Sequence, residues 1–313
     1  MRIIFAGSGA FGLPSLLALQ AAKLEIVSVV SQPDRPAGRG RTLTPTPISA
    51  YAEQVGLPLM RTDSIAALDL PEADLMVVIA FGQKIPPEIV NHPRLGSVNL
   101  HASRLPEFRG AAPINWAIIA GKRTTGNSII RLAQKMDAGA ILGQSTVEIG
   151  ETETAGELHD RLAVDGAALR LRVVSQLANG VETATAQIEG HATQAPKLDR
   201  TAATLDFSDT ADHLARRIRG LYPVPGCRVA LQDAAGRELT RLTLIRARPI
   251  WGEGDRWRPG EIDLNGYISV ANGAEALEIL EVQPAGKKPM SLTDYRRGNI
   301  WAPGIQLAAI KAD

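Results

Sequence analysis

The sequence has few of the residues on which several classes of protein depend. Its single cysteine, Cys227, excludes an internal disulfide and cysteine-rich zinc modules. Its five histidines contain no His-x-x-x-His pair, so we expect no metal site. The 34 basic and 33 acidic residues nearly balance, so a nucleic-acid partner would be met by local basic patches. Glycines and Pro14 interrupt the apolar N-terminus well short of a membrane span, which predicts a cytoplasmic protein with no membrane partner.

The chain has enough length and apolar content for two cores. Its 313 residues exceed what one compact core usually holds, and 45% of them are hydrophobic. Runs that are apolar on successive positions predict strands of a mostly parallel sheet at 2–6, 26–31, 75–80 and 97–100. Helical patterns lie between these runs, for example at 13–22 and 48–56. The alternation predicts an α/β, Rossmann-like N-terminal domain.

A long helix and then a β-rich region follow. Thr154 as the N-cap, Glu157 three residues later and Gly180 as the stop delimit a helix with leucines at helical spacing. Beyond it, residues 181–205 contain few large apolar residues and predict a linker. One helix must end by Pro223, and the short strand-like runs after it predict a small β-barrel. We expect a first domain at 1–188, a linker at 189–205 and a second domain at 206–313.

Three glycines near the N-terminus raise the question of a dinucleotide cofactor. Gly7, Gly9 and Gly12 form a G-x-G-x-x-G run between the first strand and the first helix. An NAD enzyme also needs an acidic residue where the second strand ends, and that strand ends at Ser31 and Gln32. An NADP-dependent dehydrogenase stays open because arginines follow. The other interpretation is a tight turn on which helix and strand pack closely.

Those arginines form a distinct basic segment. Arg35, Arg39 and Arg41 lie close together between prolines, with Gly38 and Gly40 between them. Guanidinium groups bind phosphate oxygens through paired hydrogen bonds, so this loop is a candidate contact for a polyanion. A solvated surface loop is the alternative.

Three polar side chains suggest a reaction centre. In "GSVNLHASRLPEFRGAAPINWAI", residues 96–118, alternation along a buried strand puts Asn99 and His101 on the same side. That strand ends at the carboxyl edge, where open parallel sheets bind ligands. An amide and an imidazole there can donate hydrogen bonds to a developing oxyanion. Asp137, in "KMDAGAI", can orient the imidazole and support its positive charge. Taken singly, Asn99 and His101 are ordinary structural residues.

Four stretches together resemble the methionyl-tRNA formyltransferases: "SQPDRPAGRG", "NLHASRLPEFRGAAPI", "MDAG" and "LEVQPAGKKPM". The resemblance covers essentially the whole chain. It implies a Rossmann-like catalytic domain, a C-terminal OB-fold-like barrel that binds tRNA, and 10-formyltetrahydrofolate as co-substrate without a metal. The formyl group would pass to the amino group of methionine on initiator tRNA. Asn99 and His101 would donate to the oxyanion, and Asp137 would hold His101 and help remove the amine's proton. Which of His101 and Asp137 accepts that proton stays open.

The same resemblance implies the binding residues. Folate contacts are expected at Phe81, Gly82, Ile85, Pro86, Ser103, Arg104, Leu105 and Pro106. The family's usual Ser-Leu-Leu-Pro segment reads Ser-Arg-Leu-Pro here, so Arg104 alters one side-chain contact. RNA contacts are expected at Arg35, Arg39, Arg41, Lys197, Lys287 and Lys288. We expect a monomer.

Two alternative functions also stay open. A related formyltransferase that acts on a nucleotide sugar would need no RNA-binding barrel. A non-catalytic RNA-binding chaperone would use the arginine loop and the barrel without any transfer chemistry.

Overall fold

The computed structural model describes residues 1–38, 40–251, 258–270 and 275–310. Its helices are Leu13–Ala21 (α1), Pro47–Gln54 (α2), Pro87–Val90 (α3), Pro113–Ile119 (α4), Ala155–Ala178 (α5), Ala211–Leu221 (α6) and Leu292–Arg296 (α7). Its strands up to residue 195 are Arg2–Gly7 (β1), Glu25–Ser31 (β2), Arg35–Ala37 (β3), Thr42–Thr44 (β4), Leu59–Arg61 (β5), Leu75–Ile79 (β6), Ser97–His101 (β7), Arg109–Gly110 (β8), Thr124–Thr125 (β9), Ser128–Arg131 (β10), Ile141–Gln144 (β11), Val147–Glu148 (β12) and Gln194–Ala195 (β13). The later strands are Cys227–Gln232 (β14), Glu238–Trp251 (β15), Ile268–Ser269 (β16), Glu275–Pro284 (β17), Met290–Ser291 (β18) and Gln306–Ala309 (β19).

The chain divides into two compact units. The first combines Met1–Gly110, Thr125–Val147 and His159–Ala195, and the second combines Ala111–Thr124, Glu148–Leu158 and the chain from Pro196 onward. The expected boundaries at 188 and 205 stay a prediction. In the described ranges, no helix is both long and apolar enough to cross a membrane.

The first unit is built on a seven-stranded sheet. Its strand order is β11-β10-β7-β6-β1-β2-β5, with β7 to β5 parallel and β10 and β11 antiparallel at one edge. Ile3, Ile4 and Phe5 of β1 are wholly buried although they point to alternate faces, as expected for a strand covered on both sides. The predicted strands and the Rossmann-like class are confirmed.

The arginine segment is a hairpin rather than an irregular loop. Strands β3 and β4 pair antiparallel, with Arg35 opposite Thr44. Arg41 precedes β4 with φ +48°, and its N–H donates to the Gly38 carbonyl at 3.3 Å. The glycines at 38 and 40 and the prolines on either side of them hid this short pairing from sequence analysis, because strand propensity is low for both residue types.

The second unit contains an antiparallel barrel. Its strands run in the order β16-β17-β15-β14-β19, and β18 pairs with β17. Residues 261 and 262 bridge Gln306 of β19 and Ile268 of β16, which nearly closes the ring. Helix α6 packs on this barrel through residues such as Leu214 and Ile218, which are wholly buried. The predicted barrel is confirmed.

Helix α5 begins and ends where the sequence predicts. The Thr154 N–H donates to Glu157 Oε2 at 2.9 Å, and the Glu157 N–H donates to Thr154 Oγ1 at 3.4 Å, which is a capping box. At the other end, Gly180 has φ +70° and its N–H donates to the Leu177 carbonyl. The capping prediction is confirmed.

Glu157 also carries a pH-dependent contribution to stability. Its Oε1 lies 2.7 Å from Nη2 of Arg246, and this hydrogen-bonded guanidinium lowers the pKa of Glu157 from 4.5 to about 2. The folded-state pKa is the lower one, so the stabilisation is complete above pH 4.5 and is lost as pH falls toward 2. The carboxylate is half exposed, so solvent screening limits the contribution to about 1 kcal/mol or less.

Replacing Glu157 by glutamine is therefore expected to lower the free energy of unfolding at neutral pH and to matter less in acid. Glutamine keeps one oxygen for the capping box, but it removes the charge and puts an amide NH2 where Oε1 accepts from Arg246. Urea unfolding of both proteins at pH 7, 5 and 4 measures the difference, which is expected to shrink below pH 4.5. A difference that does not change with pH would contradict this account.

Candidate active site

Strand β7 presents two polar side chains on one face of the sheet. Leu100 lies on the α5 side, because a Cβ on Gly166 of that helix would be 2.8 Å from Leu100 Cδ2. Its neighbours Asn99 and His101 therefore face the opposite side. Asn99 is half-buried and pairs with Val78 of β6 on one side and Ile130 of β10 on the other. The strand is thus rigidly held where it carries both groups.

The hydrogen bonds of His101 define the tautomer of its neutral ring. Nε2 lies 2.9 Å from the Phe108 carbonyl oxygen, and a carbonyl can only accept, so Nε2 carries the hydrogen. This leaves Nδ1 as the nitrogen that faces Asp137, 3.6 Å from its Oδ2. That distance is too long for a direct hydrogen bond. In the neutral ring Nδ1 is an acceptor, so it donates only when the imidazole is protonated.

Asp137 lies in the loop between β10 and β11. Its φ is +54°, a left-handed conformation that few non-glycine residues adopt. Its Oδ2 accepts a 2.9 Å hydrogen bond from the Gly110 N–H, and its side chain is 13% exposed. The carboxylate is therefore fixed in position and still reachable from solvent. The structure brings Asp137 and His101 together and puts Asn99 on the same face as His101.

Two main-chain groups of this site were missed in the sequence. The Phe108 carbonyl holds His101, and the Gly110 N–H holds Asp137. Every residue type except proline offers both a main-chain N–H and a carbonyl, so composition carries no signal for these groups. The choice of glycine at position 110 is itself a sequence signal, because a Cβ there would lie 2.6 Å from the Ala195 carbonyl oxygen.

The first group of expected folate residues lies in and beside the core. Phe81 is 2% exposed within an apolar cluster of the first unit, and half-buried Ile85 packs against that cluster. Gly82 has φ +75°, and a Cβ there would be 2.5 Å from Gln32 Nε2. Pro86 is the N-cap of α3. Their contact with folate stays a prediction.

The second group is the Ser103–Pro106 segment, which the sheet holds by its backbone. The Leu105 N–H donates to Ser128 Oγ at 3.0 Å, and the Leu105 carbonyl accepts from Gln144 Nε2 at 2.8 Å. Leu105 is buried, whereas the side chain of Arg104 is exposed. The departure from the family pattern therefore changes an accessible side chain and leaves the backbone fixed.

The glycine run is explained by close packing. A Cβ on Gly7 would lie 2.9 Å from the Ile79 carbonyl oxygen. The Gly9 N–H donates to the Ala80 carbonyl at 3.3 Å, and the Gly12 N–H donates to the Gly9 carbonyl at 3.1 Å. These two N–H groups are used within the chain, whereas a dinucleotide loop directs such groups at phosphate. The structure thus favours the tight-turn interpretation.

The residues expected to contact RNA fall on exposed positions of both units. Those with exposed side chains are Arg35, Arg41, Lys197, Lys287 and Lys288. Arg39 lies outside the described residues. Their role stays a prediction.

Comparison with known proteins places this geometry in a family. Residues 1–174 match the family model described as Formyl transferase, and residues 197–299 match Formyl transferase, C-terminal domain. The chain is 39% identical over 318 residues to the methionyl-tRNA formyltransferase of Parvibaculum lavamentivorans, and the alignment covers 98% of this chain and 100% of that protein. The chain belongs to the methionyl-tRNA formyltransferase family. The resemblance inferred from the four motifs is confirmed, and the protein is a formyl-transferring enzyme.

Solved structures show the fold of this formyltransferase in more distant proteins. An N-formyltransferase from Helicobacter canadensis, in complex with folinic acid and dTDP-3-aminofucose, superposes with a TM-score of 0.68 at 15% identity, covering 89% of this chain and 99% of that one. HypX from Aquifex aeolicus, in complex with tetrahydrofolic acid, gives a TM-score of 0.60 at 17% identity over 94% of this chain and 46% of that one. At these identities the similarity establishes the fold.

Proposed function

We propose that this enzyme transfers the formyl group of 10-formyltetrahydrofolate to the free amino group of methionyl-tRNA, giving N-formylmethionyl-tRNA for translation initiation. The observation that carries the proposal is the 3.6 Å approach of His101 Nδ1 to Asp137 Oδ2, on the face that also carries Asn99. The 39% identity to a methionyl-tRNA formyltransferase supports the choice of acceptor. We further propose a cytoplasmic monomer that needs no metal and takes initiator tRNA as substrate.

The accessible groups of the site suit a formyl carbonyl. Asn99 is half-buried on a strand whose other residues are buried, so its amide can be reached by a substrate. We propose that Asn99 and His101 donate hydrogen bonds to the negative charge that develops on the formyl oxygen. His101 can do so through Nδ1 when its ring is protonated, since Nε2 is committed to the Phe108 carbonyl.

His101 and Asp137 are the residues that handle protons during the transfer. A bond forms between the methionyl nitrogen and the formyl carbon, and the bond from that carbon to N10 breaks. The amine gives up one proton, and N10 gains one. Asp137 is 13% exposed and close to the ring, so it can take the amine's proton directly or through water, and a protonated His101 is stabilised beside it. Bound folate supplies the formyl group, already activated as an amide of an aniline-like nitrogen.

A chromatographic assay with 10-formyltetrahydrofolate and charged initiator tRNA tests the proposal. Formylmethionyl-tRNA is the expected product. Turnover of a dTDP-linked amino sugar with no formylmethionine would favour the nucleotide-sugar alternative. Tight binding of NADPH without transfer would restore the dehydrogenase, and tRNA binding without any transfer would restore the chaperone.

The exposed basic residues give a second, independent expectation for the RNA partner. Replacing Lys287 and Lys288 by alanine, or Arg35 and Arg41 by alanine, is expected to weaken tRNA binding, because each phosphate contact releases counterions. The dependence of log Kd on log salt should flatten by about one per lost contact. Filter binding at several salt concentrations measures this slope. An unchanged slope in both double variants would argue against these contacts.

A further inference from the structure

Gln187 makes four hydrogen bonds, two to the loop that carries Asp137 and two to Arg109. Its Nε2 donates to the carbonyl oxygens of Asp137 at 2.7 Å and Gly139 at 2.8 Å. Its Oε1 accepts from Nε of Arg109 at 3.0 Å and from Nη2 at 2.7 Å. Carbonyls only accept and guanidinium groups only donate, so this environment permits a single orientation of the amide.

Arg109 holds the other end of Gln187 firmly. Its side chain is buried, and besides Gln187 it binds both carboxylate oxygens of Glu189, at 3.1 and 2.9 Å. Lys135 Nζ reaches the same carboxylate at 2.7 Å. Hydrogen bonds from Arg109 and then Lys135 lower the pKa of Glu189 to about 2. Glu189 therefore stays charged at neutral pH, and Arg109 keeps its partner.

These contacts form a closed ring around Asp137. Gln187 binds the main-chain carbonyl of Asp137, Arg109 binds Gln187, and the next residue, Gly110, donates its N–H to the Asp137 carboxylate at 2.9 Å. The left-handed backbone of Asp137, at φ +54°, is uncommon in non-glycine residues and is favoured where the surroundings restrain it. The ring supplies that restraint on the main-chain side and on the side-chain side.

We propose that Gln187 is a positioning residue of the formyl transfer: it sets the loop so that the Asp137 carboxylate faces His101. The inference rests on the proposed function, in which Asp137 manages the proton. A displacement of about 1 Å can cost about a hundredfold in rate, so losing the two donated hydrogen bonds should lower kcat more than either KM.

The test replaces Gln187 by glutamate and, separately, by methionine. Glutamate keeps an acceptor for Arg109 but presents a carboxylate to two carbonyl oxygens, and methionine removes all four hydrogen bonds at similar size. Both variants are expected to lose about tenfold to a hundredfold in kcat per folded molecule. The KM for the folate should change little, and the pH profile of kcat should shift because the spacing of Asp137 and His101 changes.

Gln194→Glu is the matched control, because it makes the same chemical change at an exposed position of the same segment. It is expected to keep wild-type kcat and pH profile. If wild-type enzyme transfers formyl groups and both Gln187 variants match this control per folded molecule, the positioning role is overturned. If wild-type enzyme forms no formylmethionyl-tRNA, the proposed function fails instead. Circular dichroism gives the folded fraction for each variant.

Discussion

Replacing Asp137 by asparagine is expected to lower kcat by about a hundredfold or more. Asparagine retains an oxygen that accepts the Gly110 N–H, so the loop and its hydrogen bond should persist. What disappears is the negative charge 3.6 Å from His101 Nδ1 and the capacity to take a proton from the amine. Substrate KM values should change little, because the substitution acts on proton transfer. Single-turnover formyl transfer at saturating substrates measures the effect.

Asp74→Asn is the control for that experiment. Asp74 precedes β6 and binds the Arg2 N–H at 2.8 Å, so it lies at the amino edge of the sheet, opposite the edge where β7 ends. The control removes a carboxylate of the same type and is expected to leave kcat unchanged. A fully active Asp137→Asn enzyme would show that the carboxylate takes no part in the transfer.

Replacing His101 by alanine is expected to reduce kcat by a similar factor, with a separate effect on stability. Removing one donor to a developing oxyanion typically costs about a hundredfold to a thousandfold. His101 is 6% exposed and its Nε2 donates to the Phe108 carbonyl, so alanine also removes this buried hydrogen bond. The loss of one such hydrogen bond typically costs about 1 kcal/mol of stability. Steady-state kinetics and thermal unfolding separate the two losses.

A His101→Gln variant distinguishes catalysis from stability. The glutamine amide can donate to the Phe108 carbonyl, so much of the lost stability should return. It cannot gain or release a proton near neutral pH, so the rate should stay low. Recovery of the rate together with the stability would mean that His101 serves the fold alone.

Much of the architecture could be predicted from the sequence, because the spacing of apolar residues indicates which positions are buried. The doubly buried strands β1, β2, β6 and β7, the capped helix α5 and the β-rich second half all lie where apolar spacing and capping residues predict them. Asn99 and His101 could be placed on one face by alternation alone. The hairpin β3–β4 could not be predicted, because its prolines and glycines suppress the strand signal.

The parts of the site that escaped prediction depend on contacts distant in sequence. Nothing local to Gln187 or Thr193 signals a role, and the stretch around them has the composition of a linker. Yet Thr193 Oγ1 accepts the Phe108 N–H at 2.8 Å, and Gln187 binds the loop of Asp137. Such partners are defined only after the chain has folded back. The glycine run left two interpretations open for the opposite reason, since its local pattern fits two structures and only packing against Ala80 distinguishes them.

The short pairing of β13 with β8 has a consequence for synthesis on the ribosome. The segment joined to Arg109 and Phe108 follows them by about 80 residues, with separations of 78 and 85 for the Gln187 and Thr193 contacts. Contacts between residues so distant in sequence form late, and they make the chain fold more slowly. A nascent chain that already contains Asn99, His101 and Asp137 therefore still lacks the segment that braces them. Catalytic competence should arise only once about 195 residues have emerged from the exit tunnel.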